Sequence, residues 1–215
     1  MTRVFIAAIT TVGVLSATTT FAFDQADVDR FHQTNECEGC DLNATDLALA
    51  GRDASEAKLA GADIGDNFIR QETLDRADLT GASIVDSFFL ETTAIAAIFI
   101  NADLTDVGIE DTMMREADFS DAVLINANIK NSDFRGAILS GADLSGARIT
   151  GAVLSGADFT GAILVGATID RSGITDADFT DADLTGAEII RGSLSSAILC
   201  RTTMPDGSIS NEDCP

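Results

Sequence analysis

Four cysteines, one histidine and a surplus of carboxylates are the residues of this chain that carry chemical potential. Cys37-Glu38-Gly39-Cys40 has the C-x-x-C spacing used for thiol–disulfide exchange or for half of a zinc site, and Cys200 and Cys214 follow far downstream. In an exported chain the same residues read as two disulfides, and four cysteines allow three connectivities. His32 is the single imidazole, which argues against His-based triads and multi-His metal centres. Asp176, Asp178, Asp181 and Asp183 crowd together in sequence, as acid–base pairs or calcium ligands would. No phosphate loop, nucleophile elbow or zincin motif is present. We therefore expect no enzyme, no metal and no cofactor.

The 215 residues carry a formal charge of −22, from 13 basic and 35 acidic side chains. Such a charge opposes direct binding to nucleic-acid phosphates. Apolar residues make up 46% of the chain, too many for an acidic disordered tail, so the chain folds. Residues 1–22 read as a secretory signal peptide: Arg3 is the positive n-region, Val4 to Leu15 the apolar h-region, and Thr20-Phe21-Ala22 the small-residue cleavage signal. Its removal leaves 12 − 35 = −23 and no membrane span.

The elements that position these residues are set by a five-residue period. Every fifth residue from Leu59 to Met204, (204 − 59)/5 + 1 = 30 positions, is Leu, Ile, Phe or Met, except Ala94. Two residues before each stands a residue that is mostly Ala, and Gly recurs two residues after it, as at Gly141, Gly146 and Gly151. A period of five fits neither helix nor strand. It fits a chain that turns a corner at each unit and points two side chains inward, with Gly relieving strain at the corner.

Units such as Gly141-Ala142-Asp143-Leu144-Ser145 and Asp181-Ala182-Asp183-Leu184-Thr185 resemble the pentapeptide-repeat family, whose consensus is A-(D/N)-L-x-x. The resemblance covers roughly residues 40 to 206 and looks like that of exported cyanobacterial-type members. It implies an all-β fold, a right-handed quadrilateral parallel β-helix of about seven to eight coils and roughly 36 Å at ~4.8 Å per coil. Residues 20 apart then stack, for example Leu59, Leu79, Phe99, Phe119, Leu139, Phe159, Phe179 and Leu199. On that shaft the two cysteine pairs lie near opposite ends, beyond the ~7 Å reach of a disulfide. The implied staples are Cys37 with Cys40 and Cys200 with Cys214, a redox role at Cys37 and Cys40 remaining the lesser reading.

The domain reading is a signal peptide at 1–22, an N-terminal cap at 23–40, the β-helix at 41–206 and a C-terminal tail at 207–215. Asp24 is placed to N-cap a short helical lid with Val28 and Phe31 on one face, and His32 is a surface or cap residue. Leu47 to Leu59 is two residues longer than the period allows, which predicts an insertion within Ala50 to Ala57. Between Ile84 and Ile100 the outward positions depart from the polar rule with Val85, Phe88, Leu90, Ile95, Ile98 and Ile100, and Phe68 stands 20 residues before Phe88. This apolar group is the candidate interface for a protein partner or a second copy of the chain, with the insertion as an alternative cover. The functional expectation is an exported, non-enzymatic structural or protein-binding module of periplasm, thylakoid lumen or extracellular space. The resemblance also implies an alternative, since some cytoplasmic members mimic duplex DNA and inhibit topoisomerases such as DNA gyrase.

Overall fold

The corner residue of each unit decides the path of the chain. A computed structural model describes residues 24–43 and 52–215. The expected signal peptide lies outside the described residues, as does Leu47. At the corners, Ser196 excepted, the backbone takes a positive φ, whether the residue is Gly (Gly141, φ 68°) or not (Asn126, φ 58°; Asp121, φ 56°). On three of the four sides the turn is closed by a backbone bond three residues apart, as when the Ala82 N–H donates to the Leu79 carbonyl at 3.0 Å. A positive φ at the third residue of such a turn is the type II requirement that Gly and Asn meet most easily.

Four such corners return the chain to its start after 20 residues. Seven three-residue strands, β1 (Phe68–Arg70), β2 (Phe88–Leu90), β3 (Gly108–Glu110), β4 (Asn128–Lys130), β5 (Arg148–Thr150), β6 (Thr168–Asp170) and β7 (Glu188–Ile190), stack in parallel in sequence order. Their register is fixed by pairs such as Ile69 with Phe89 and Ile109 with Ile129. This sheet is the fourth wall. The other three are rows of single bridges, passing through Asp53, Thr73 and Thr93 (first wall), Lys58, Asp78 and Ile98 (second) and Asp63, Ser83 and Asp103 (third). The protein is thus a four-sided parallel β-solenoid. From β1 to β7 it makes (188 − 68)/20 = 6 full turns. The higher expected count included incomplete coils at both ends.

The interior is a ladder of like residues. Phe99 and Phe119 stack with centroids 4.6 Å apart and planes 1° from parallel, and Phe159 and Phe179 do so at 4.8 Å and 2°. The Ala rows are fully buried. The repeat is not unbroken to its end: Leu194–Ser196 forms a 3₁₀ turn, and Leu194 is only partly buried.

Both ends are closed. Helix α1 (Gln25–Thr34) begins where the Asp24 side chain accepts from the Ala26 N–H, and it buries Val28 and Phe31. At the other end Met204-Pro205-Asp206-Gly207 turns the chain into a short antiparallel pair, β8 (Thr202–Thr203) with β9 (Ile209–Ser210). The tail is then tied down, the Leu199 N–H donating to Asp213 Oδ2 at 2.9 Å and the Asp213 N–H to the Leu199 carbonyl at 3.1 Å.

The structure puts the insertion before Asp53, leaving only the first residues of the expected stretch, 50–52, within its range. The first bridges join residues 22 apart, Glu36 with Lys58 and Asp41 with Asp63, whereas Asp53 pairs with Thr73 at the regular 20. Ala54 and Ala57 are buried in register. The two extra residues therefore enter between Leu42 and Asp53, and residues 53–57 are wall, not a cover over a patch.

Candidate functional site

The four cysteines form two bonds, Cys37 with Cys40 (Cα–Cα 5.2 Å) and Cys200 with Cys214 (4.7 Å). The first closes the turn beneath α1, where the Arg30 guanidinium contacts Cys40 Sγ and pairs with Asp27 at 3.4 Å. Among the described residues, Asp27, Cys37 and Cys40 are the one group whose potential ligand atoms gather as a metal site would require. Both sulfurs are covalently committed and buried. His32 lies exposed in the last turn of α1.

The carboxylates are parts of the wall. Where Asp precedes the central residue, one of its oxygens accepts the N–H two residues on. Asp118 takes Ser120 at 2.9 Å, Asp143 takes Ser145 at 2.9 Å, and Asp183 takes Thr185 at 2.9 Å. This Asx turn gives the repeat a structural reason to prefer Asp. The four clustered aspartates separate accordingly. Asp176 sits at the corner after the first wall, Asp178 holds the Thr180 N–H on the second wall, Asp181 sits at the next corner paired with Arg201, and Asp183 belongs to the third wall.

Charge is nonetheless unevenly placed. The third wall carries Asp63, Asp66, Asp86, Asp103, Asp106, Asp143 and Asp183 and no Lys or Arg. The second carries Asp78, Asp118, Asp121, Asp158, Asp178 and Asp181, with Lys58 and Arg201 only at its ends. The fourth wall mixes signs, as in the Glu110–Lys130 and Asp170–Arg191 pairs. On the first wall Asp133 is paired with two arginines. The Arg135 hydrogen bond, then Arg115, hold its carboxyl well below the usual carboxylate range.

The apolar group divides. Phe68 and Phe88 pair across β1 and β2 with ring centroids 5.4 Å apart and planes 3° from parallel, and Leu90 stands beside them on the same wall. Phe88 leans over Gly108, where a Cβ would come within 2.1 Å of its ring. Phe68 is 45% exposed. Ile98 lies on the second wall, in the Asp78 row, and Ile100 is two residues further along it. Val85 and Ile95 follow the central residues of the third and first walls. These four are half-buried and do not join the Phe68–Phe88 pair in one patch. A run of 16 residues winds around most of a 20-residue coil, so sequence neighbours end on different walls.

Sequence reasoning missed a polar row at the corner between the fourth and first walls. Thr92, Thr112, Ser132 and Ser172 stand buried where other corners have Ala. Here the hydroxyls replace the backbone turn bond. Thr112 Oγ1 donates to the Glu110 carbonyl at 2.9 Å, and Ser132 Oγ donates to Lys130 O at 2.9 Å while accepting the Thr112 N–H at 3.1 Å. The signal was available as the failure of the Ala series at these positions. Glu72 heads the same row and Arg52 precedes it. Glu72 is 1% exposed, and neither of its carboxyl oxygens has a hydrogen-bond partner.

The family profile for pentapeptide repeats matches eight copies, over residues 74–107, 109–141, 137–172 and 174–204. No curated protein matches the chain. Solved structures that resemble it include a trypsin-treated QnrB1, a plasmid-mediated fluoroquinolone resistance protein, at 21% identity and TM-score 0.45, covering 68% of this chain and 79% of the other. HetL, a pentapeptide repeat protein involved in heterocyst differentiation regulation from Nostoc sp. strain PCC 7120, is 23% identical with TM-score 0.34, covering 85% and 97%. A pentapeptide repeat protein from the Arabidopsis thaliana thylakoid lumen is 29% identical with TM-score 0.28, covering 58% and 66%.

Proposed function

Because this chain belongs to the pentapeptide-repeat family, we propose that it is an exported, non-catalytic solenoid that serves as a rigid protein-binding module and engages its partner through the fourth wall at Phe68 and Phe88. The observation that carries this reading is the stacked aromatic pair on the parallel sheet of the fourth wall, with Phe68 45% exposed. An exposed aromatic ring stacked on a half-buried one is the anchor type that interfaces favour. Most interior rows of the described shaft are filled by their own side chains. Export is supported by the sequence of residues 1–22 and by two closed disulfides, which persist in oxidising compartments. No helix of the described residues is long and apolar enough to cross a membrane.

The test is Phe88→Asp, compared with wild type by light scattering and by capture of partners from the protein's own compartment. We expect the variant to lose self-association or partner capture while the shaft keeps its circular dichroism and melting behaviour. Unchanged mass together with unchanged capture would remove the fourth wall as the docking surface.

The adjoining acidic second and third walls support a second reading, imitation of duplex DNA toward a topoisomerase such as DNA gyrase. Location separates the two. A processed protein in an extracytoplasmic fraction removes mimicry, whereas an unprocessed cytoplasmic form that inhibits DNA supercoiling removes the exported module.

A further inference from the structure

Glu72 and Arg52 occupy successive rungs of one corner row, directly under the N-terminal lid. The Arg52 guanidinium is turned toward α1. It donates to the Phe31 carbonyl at 2.8 Å, to the His32 carbonyl at 3.2 Å and to the Asn35 side chain, and its carbon lies 4.7 Å from the centre of the Phe31 ring. It therefore caps the carbonyl end of the helix, where a cation is favoured. Glu72 lines a small cavity with Phe31 of α1, Leu42 and the interior residues Leu59, Ile69 and Leu74. Among the described residues, every other residue lining the cavity is apolar, and Arg52 is the charge that acts on Glu72. No ion pair joins Glu72 and Arg52.

We propose that Glu72 and Arg52 form a proton-gated latch for the N-terminal lid. With Glu72 protonated, its neutral carboxyl rests in the apolar cavity and Arg52 is left to cap α1. With Glu72 ionised, the buried carboxylate must draw the guanidinium away from the helix or draw water under the lid, and either event frees α1. The remaining members of the row show what a permanently neutral latch looks like. Thr92 and Thr112 bury at the same corner by donating to backbone carbonyls, and neither depends on pH.

Burial pushes the Glu72 carboxyl up from 4.5 to about 8, and Arg52 offsets only part of that rise. The sign follows from linkage. The closed lid binds a proton that the open lid releases, so closure is fully favoured below the ordinary glutamate range and is lost as pH rises through about 8.

The test is native-state hydrogen exchange at the α1 amides of the full, disulfide-intact chain, corrected for intrinsic exchange and followed from about pH 5 to about pH 9. In wild type the lid-opening constant should rise about tenfold per pH unit between the open-state and closed-state values and level off above about pH 8. In Glu72→Gln, and in Glu72→Thr, which installs the residue the row already uses, the constant should be flat, while the amides of β4 to β6 stay protected in all three proteins. A slope in both variants equal to that of wild type would overturn the latch. So would a wild-type Glu72 carboxyl carbon that titrates in the ordinary glutamate range by NMR, a measurement that decides the matter even if neither variant folds.

Discussion

The Phe99–Phe119 stack offers the sharpest test of whether this shaft is held rung by rung. Both rings are 0% exposed, with centroids 4.6 Å apart and planes parallel within 1°. Leucine is the natural replacement, since the same row holds Leu79 and Leu139. The exchange trims a buried side chain modestly, and a small large-to-small core change costs about 0.5–1.5 kcal/mol. Loss of a stacked aromatic pair adds about 0.5–1.5 kcal/mol. Each single variant, Phe99→Leu or Phe119→Leu, should then lose about 2 kcal/mol. The stack can be lost only once, so the double variant should lose about 1 kcal/mol less than the sum of the singles. Phe119 and Phe159 provide the control, because Leu139 stands between them in the row. Two rungs at ~4.8 Å put them ~10 Å apart, and their coupling should stay below about 0.5 kcal/mol. Urea unfolding with the slope monitored in every variant gives the global energies. Hydrogen exchange at the Leu104 and Leu124 amides gives the local ones. Equal coupling in the two pairs, or none in either, would refute nearest-neighbour stacking as the source of stability.

Two further outcomes follow from the walls and the ends. Cys200→Ser opens a loop of sequence separation 14 and should cost about 3 kcal/mol on the chain-entropy account, felt at the Leu199–Asp213 bonds and the tail amides while β3 to β5 keep their protection in hydrogen exchange. Asp133→Asn should be about 1 kcal/mol less stable at neutral pH, a modest figure because Arg115 and Arg135 are part-exposed. The Asp133 carboxyl is depressed, so its contribution is present above its ordinary value of 3.8 and is lost as pH falls below it. Acid titration of stability should therefore be shallower in the variant than in wild type.

Much of the architecture was legible because it is local. The lid is an example: Asp24 as N-cap and the Val28, Phe31 spacing specify both a helix and the face it buries. Stacked Phe pairs were legible once the coil length was known, since a difference of 20 in sequence is a contact in space. The insertion was countable from the phase of the repeat but not placeable, because Ala54 and Ala57 fit the wall equally well in either reading. The Thr and Ser row was visible as a gap in the Ala series, but its reason was not. Only the geometry reveals that this corner lacks the backbone turn bond that the others make.

The sequence by itself determined the period, the inward rows, the corner chemistry and the acidic exterior, since each arises within one five-residue unit or between units a fixed count apart. Tertiary structure alone decided what lies beside what across walls and under the lid. It parted Ile98 and Ile100 from Phe88, leaving one aromatic pair where the sequence suggested a broad patch. It turned Arg52 toward the helix and left Glu72 without a hydrogen-bond partner in a largely apolar cavity. The physical reason is directional. Sequence order runs around the coil, whereas contact, desolvation and charge pairing run along the shaft and across its ends, where residues distant in the chain set each other's environment.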